Sequence, residues 1–215
     1  MTYSEKTNYH HGDLRAALLD ATDKIINRDG LELFSLRACA REAGVSHNAP
    51  AHHFADLRGL LTAYATNAFD LLIDSMEYAK KSRSADPAEQ LLATGEGYIQ
   101  FALTHPGKFQ VMFRNEKLDA KHMELQNSSA KAFGILEHAM TNWLELYHPI
   151  ALTDEKKLKY ILMAWSVCHG YATLAGERKL DFISGFNQGT NHHIDFGKLL
   201  LNTFIQSITY SNTTI

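Results

Sequence analysis

Apolar residues recur at three- and four-residue spacing through most of this chain, punctuated by glycine, proline and capping side chains, so the pattern predicts a succession of helices. The first carries Leu14, Leu18, Ala21 and Ile25 on one stripe, with Asp13 as its cap and Gly30 as its stop after Asn27, Arg28 and Asp29. Leu31, Leu33 and Phe34 are expected to bridge to the second helix and supply core, since so small a unit cannot bury itself without aromatics. In the second helix Ser35 is the N-cap and Leu36, Cys39, Ala40 and Ala43 share one face. Gly44 can take the left-handed conformation that ends it, and Val45 drops into the gap before the next helix. That third helix reads as His47 to His53, capped by Ser46 and anchored to the core by Phe54. Pro50 constrains its start, because proline lacks an N–H and clashes with the carbonyl four residues back. A start one residue later, with His47 as cap, places Pro50 in the first turn, where no amide donor is needed.

Asp56 caps a long helix to about Lys81, with Leu60, Leu61, Tyr64, Ala68, Leu72 and Met76 at helical spacing. Ser82 to Ala85 reads as a linker, and Asp86-Pro87-Ala88-Glu89 as a helix start with cap, first-position proline and acid in the first turn. The helix that follows holds Leu91, Leu92, Tyr98, Ile99 and Ala102 and ends at Thr104-His105-Pro106-Gly107; Gly95 and Gly97 inside it predict close packing. A short helix with Phe109, Met112 and Phe113 comes next, then a long one from about Leu118 to Tyr147 carrying Phe133, Leu136, Met140, Trp143 and Leu144 and ended by Pro149. Thr153 caps a helix with Leu158, Ile161, Leu162, Trp165, His169 and Ala172. Ser184 to His193 reads as a loop, and Asp195 as the cap of a final helix with Phe196, Leu199, Leu200, Phe204 and Ile208. The fold class is all-α: a flexible tail over 1–12, a three-helix helix-turn-helix domain over 13–55, a connecting helix and linker over 56–85, and a helical-bundle domain over 86–215.

Composition changes this picture little. A chain of 215 residues, 45% apolar and 21% charged, can bury a full core. No apolar run approaches the roughly 18 residues of a membrane span, and Met1 to Leu14 lacks the apolar stretch of a signal peptide, so a cytoplasmic protein with no membrane partner is expected. Cys39 and Cys168 both fall on apolar helix faces and are expected as reduced thiols. Charge argues against nucleic acid at first: the chain is net −3, and residues 1–60 hold seven Lys/Arg against eight Asp/Glu. Locally, however, Arg37, Arg41, Arg58, His47, His52 and His53 crowd around residues 35–54, and patches matter more than sums. Neighbours such as His52 and His53 point about 100° apart on a helix and form no chelate. The pairs His10/His11 and His192/His193 fall in predicted loops, and no Cys or carboxylate completes a ligand spacing, so neither metal nor cofactor is predicted. No nucleophile and base pair and no phosphate loop is present, so the chain does not read as an enzyme.

Gly30 to Leu61 resembles the DNA-binding domain of the tetracycline-repressor-like family of bacterial transcription regulators. The family's glycine, Ala-x-x-Ala-Gly-Val-Ser turn and terminal His-Phe are met by Gly30, Ala40, Ala43, Gly44, Val45, Ser46, His53 and Phe54. Met163-Ala-Trp165-Ser-Val-Cys-His169-Gly170 resembles the Trp…His-Gly signature of one branch of the family's effector domains, as does Phe101-Ala-Leu-Thr-His-Pro106. The resemblance implies an all-helical homodimer whose last two helices pair across a twofold axis, whose second domain binds a small-molecule effector, and whose first domain grips or releases a palindromic operator in double-stranded DNA. On the family's pattern His47, Asn48 and Ala49 meet the bases, with Asn able to pair with adenine and Ala able to touch a thymine methyl. Ser35, Arg37, Ser46, His52, His53 and Arg58 complete the DNA-binding set. Tyr98, Phe101, Phe109, Met112, Phe113, Trp143, Trp165 and His169 are the effector-binding set, suited to an apolar or aromatic ligand, with His169 as its polar handle.

Two positions depart from the pattern: the family's tyrosine is Ala51 here and its lysine is Leu57. Either Arg58 and His52 compensate, or the chain is a helical small-molecule-binding dimer whose reading head has decayed. Three histidines at this face imply a pH dependence, because phosphate favours imidazolium and an unperturbed imidazole titrates near 6.5. Operator affinity is therefore expected to rise as pH falls from about 8 to about 6 at fixed ionic strength, as fluorescence anisotropy would read; equal affinities would leave the imidazoles without a part in binding.

Overall fold

The computed structural model describes residues 14–147, 153–183 and 189–210, and these form nine α-helices. The expected tail, the Asp13 cap, His10, His11 and Pro149 lie outside the described residues. The first three helices are an N-terminal helix-turn-helix unit, and the later ones a C-terminal helical domain. No helix among the described residues is long and apolar enough to cross a membrane.

Helix α1 (Leu14–Asp29) buries Leu18, Ala21, Thr22, Ile25 and Ile26. It ends at Gly30, φ 85°, which donates to Ile26 O at 3.0 Å. A single 3-10 turn, Leu31–Leu33, follows. Three residues per turn bring Leu31 and Phe34 to one side, where both are buried, and send Leu33 outward to 74% exposure, which corrects its expected place in the core. Helix α2 (Leu36–Glu42) starts where Ser35 Oγ accepts from Ala38 N at 3.3 Å. Gly44, φ 68°, then reverses the chain, and Val45 N donates to Ala40 O at 3.0 Å. Helix α3 is Ala49–Phe54, two residues shorter at its start than the sequence suggests. A helix through His47 would press the Pro50 ring on the Ser46 carbonyl; that carbonyl instead accepts from Ala49 N at 3.0 Å, Asn48 becomes the cap residue, and neither Ser46 nor His47 caps.

Helix α4 (Leu57–Lys81) begins at Asp56, whose carboxylate accepts from Gly59 N at 2.8 Å, and it serves both halves of the molecule. Helix α5 (Pro87–Thr104) is capped by Asp86 through Ala88 N and Glu89 N. These two helices cross closely: Ser75 Oγ donates to Gly97 O at 2.8 Å, and a Cβ on Gly97 would stand 2.5 Å from Met76 Cα. Gly95 gives similar room to Leu201, whose Cδ1 would be 2.7 Å from an added Cβ. Both glycines therefore do what their cost in a helix implied. Helix α6 (Pro106–Met112) leads through a 3-10 turn, Asn115–Lys117, to helix α7 (Met123–Tyr147). The expected start of α7 at Leu118 fails because that segment is held on α4: Leu118 is buried in extended backbone, its carbonyl accepts from Arg58 Nη1 at 3.0 Å, and Asp119 N donates to Thr62 Oγ1 at 2.9 Å.

Helix α8 (Asp154–Gly176) is capped by Thr153 Oγ1. Helix α9 (Thr190–Tyr210) starts earlier than expected, so His192 and His193 lie in its first turn and Asp195 is inside it, paired with Lys198 at 3.3 Å. Tyr171 OH on α8 donates to His193 O at 2.7 Å, tying that first turn down. Both cysteines are buried and free.

The two halves meet at α1, α4 and α6. Asp23 Oδ1 accepts from Tyr64 OH at 2.7 Å and lies 3.2 Å from Lys108 Nζ, while Asn27 accepts from Gly107 N at 3.0 Å. Lys108 is 8% exposed, with its ammonium 4.3 Å from the Tyr64 ring centroid.

The α4 and α5 crossing sets up a contrast. Gly97→Ala is expected to destabilise the fold by about 1–3 kcal/mol through overpacking. Gly134→Ala in α7, where a Cβ meets nothing within 4 Å, is expected to stabilise it by about 0.5–1 kcal/mol. Urea unfolding of the two variants reads the difference in sign.

Candidate functional site

The residues on and beside helices α2 and α3 make up the candidate DNA-binding face. Ser35, Arg37, Ser46, His47, Asn48, His52 and His53 are all exposed on it, as are the departing residues Ala51 and Leu57. Two members of the expected DNA-binding set do not belong to that face. Ala49, at 9% exposure, packs inward because the later start of α3 turns its first residue to the core. Arg58 points the other way along α4, its guanidinium donating to Leu118 O and to Glu116 O at 3.0 and 3.4 Å. One cation unmarked by the motif stands beside the face: Arg15 of α1 lies over the Phe54 ring, 5.5 Å from its centroid. No local spacing links positions so far apart in sequence, so only packing could bring them together.

In the C-terminal domain five rings converge from three elements. Tyr98 comes from α5, Phe109 and Phe113 from α6 and its end, and Trp165 and His169 from α8. Phe113 stands edge-on to His169 at 4.8 Å and to Phe109 at 5.5 Å, and Tyr98 edge-on to Phe109 at 5.8 Å. Their polar atoms form a chain: Trp165 Nε1 donates to Tyr98 O at 3.3 Å, and Tyr98 OH lies 2.7 Å from His169 Nδ1. The indole can only donate, so Tyr98 O is the acceptor of that bond, while the direction of the Tyr98–His169 bond follows the imidazole tautomer. Burial holds His169 below the ordinary imidazole range and pushes the Tyr98 phenol up.

Phe113 is a wall shared by two cavities. The smaller, about 290 Å³, is lined by Tyr98, Met112, Trp165, by Phe69, Leu72 and Met76 of α4, and by Leu125, Ala132, Phe133 and Leu136 of α7. No charged side chain lines it, and at its polar end the Gln126 and Ser129 donors are already bound to Ala120 O and Gln126 O. The larger, about 540 Å³, opens beside Phe109 and His169 and reaches Ile26 and Asn27 of α1. Six of the eight expected effector residues thus meet around Phe113, and two do not. Phe101 is 1% exposed and packs on His105, with ring centroids 5.4 Å apart. Trp143, also 1% exposed, sits two turns along α7 beyond Leu136, past the end of the cavity and against Tyr147.

The half-buried imidazole of His169 makes the fold acid-sensitive in a defined direction. Its folded pKa lies below the unfolded value, so the unfolded chain takes up protons first as pH falls from about 6.5, and stability falls with it. His105 is depressed too, by burial and then by Lys108. Thermal melts at about pH 7.5 and about pH 5 should therefore show a smaller acid-induced loss of Tm in His169→Gln than in the parent chain.

Residues 91–194 match the tetracyclin repressor-like C-terminal domain family. The chain is similar to a structure described as a protein with unknown function from Rhodococcus sp. RHA1, with 27% identity and a TM-score of 0.73 over 94% of this chain and 98% of that one. PfmR, a TetR family transcriptional regulator from Thermus thermophilus, shares the fold at 17% identity, TM-score 0.63, over 87% and 95% of the two chains. The fatty acid degradation regulator FadR from Bacillus halodurans does so at 12% identity, TM-score 0.68, over 90% and 96%. No curated protein matches the chain. Residues 91–194 therefore carry a tetracyclin repressor-like C-terminal domain, and the chain as a whole shares the fold of these structures, a helix-turn-helix unit joined through one long helix to that domain.

Proposed function

We propose that this chain is a cytoplasmic repressor that binds a palindromic operator as a homodimer and is released by a small, uncharged, apolar or aromatic effector seated in the 290 Å³ cavity. The observation that carries this reading is the double duty of α4. Its middle supplies Phe69, Leu72 and Met76 to the cavity wall, and its first turn, capped by Asp56, follows directly on the reading helix α3. A ligand that fits one placement of α4 better than another shifts the spacing of two reading heads. The dimer is supported by α8, where Leu158, Leu162 and Met163 are 49%, 45% and 40% exposed and form a shallow apolar strip with Phe204 of α9. Of the reading face, Ser35, Arg37, Ser46, His52 and His53 are assigned to phosphates, and His47 and Asn48 to bases.

A second reading has an observation of its own. With Arg58 engaged by Leu118 O and Glu116 O, it does not fill the place left by Leu57, which favours a ligand-binding dimer whose reading head has decayed. Titration of the protein on the DNA flanking its own gene, over salt and against non-specific competitor, separates the two. A footprint that survives competitor supports the repressor, and saturating effector should then weaken it; binding that competitor abolishes supports decay. In the decayed case Ala51→Tyr with Leu57→Lys should restore affinity and steepen the salt dependence by about one unit per contact in each half-site.

A further inference from the structure

The larger cavity, about 540 Å³, is not used by the effector reading, and its chemistry is of another kind. It lies where the helix-turn-helix unit meets the C-terminal domain, with Asn27 on α1, Gln110 and Arg114 on and just after α6, and His169 and Thr173 on α8. The Arg114 guanidinium and the Gln110 amide have no side-chain partner among the described residues. His169 has its Nδ1 taken up by Tyr98 OH and its Nε2 left over. The acid at the rim, Glu177, is matched by Lys179 at 2.6 Å. Asn27 is likewise spent, accepting from Gly107 N and donating to Asp23. The cavity therefore offers donors and a full positive charge without a matching acceptor, beside the rings of Phe109 and Phe113.

We propose that this cavity is a second ligand site, for a small apolar carboxylate. Its carboxylate takes the unpaired guanidinium of Arg114, whose planar fork matches two carboxylate oxygens, and its apolar body lies against Phe109 and Phe113. The smaller cavity, with no charged side chain, cannot hold the same head group without burying it unpaired. Because the walls come from α1 as well as α6 and α8, an occupant holds the helix-turn-helix unit in its present seat on the C-terminal domain. Any consequence for operator binding rests on the repressor reading above; the site itself does not.

Benzoate and hexanoate, with benzyl alcohol and hexanol as uncharged counterparts, are the probes, titrated calorimetrically into the full chain without DNA. Both acids should bind at one site per chain, at least about tenfold more tightly than the alcohols. Arg114→Met, at an exposed and unpaired position, should fold normally and lose that preference. Ala132→Trp, which fills the smaller cavity, should leave acid binding unchanged. The proposal is overturned if the acids fail to bind at ~10 mM, if Arg114→Met binds them as the parent does, or if Ala132→Trp abolishes binding. As no DNA enters the titration, a chain that binds no operator would leave each of these outcomes as informative as before.

Discussion

The carboxylate of Asp23 is where the two halves of this molecule are made into one. It receives the Tyr64 hydroxyl from α4, the Asn27 amide from its own helix and the Lys108 ammonium from α6, all within 3.2 Å. Lys108 is buried, so its charge has this carboxylate and the Tyr64 ring in place of water. Helix α6 cannot leave α1 without separating that pair. The consequence runs outward in both directions. Through α6 the junction fixes Phe109 and Phe113, and with them the partition between the two cavities. Through α4 it fixes the turn that joins α3 to α4.

What the sequence discloses about the fold is the chemistry that acts within a few residues. Ser35, Asp56, Asp86 and Thr153 each cap the helix that follows, because a short side-chain acceptor beside an orphan amide is a local arrangement. Gly44 and Gly97 declare themselves for the same reason: the first is needed for a positive φ, and the second is out of place in a helix unless a neighbour comes close. The departures all have distant partners. Leu118 to His122 stay out of α7 because Arg58 and Thr62 claim their backbone from about sixty residues away in sequence. Leu33 looks like its neighbours by residue type, and only the tighter winding of a single 3-10 turn sends it to solvent. The first turn of α9, hidden behind a run of Gly and Asn, is held by Tyr171.

The candidate sites divide along the same line. The turn motif places α2 and α3 and the polar residues on their shared face, yet it cannot tell that Arg58 is drawn off to another domain or that Arg15 arrives from α1. An aromatic stripe shows that rings will be buried without showing what they surround. Phe101 and Trp143 obey the same periodicity as Tyr98 and Phe133 and end in solid core. The larger cavity has no sequence signature at all, because Asn27, Arg114 and Thr173 share nothing until three helices are packed.

The smaller cavity has walls of unequal freedom. On one side α4 and α5 are bound to each other through Gly97 and to the helix-turn-helix unit through Tyr64, so a change there disturbs more than the cavity. On the other side α7 lines it with Leu125, Ser129, Ala132, Phe133 and Leu136, and the backbone of that helix has open space at Gly134. Substitutions on this one wall can reshape the chamber while leaving the contacts that join the two domains intact. On the repressor reading proposed above, a lineage carrying this scaffold has a route to new chemical signals through α7 alone.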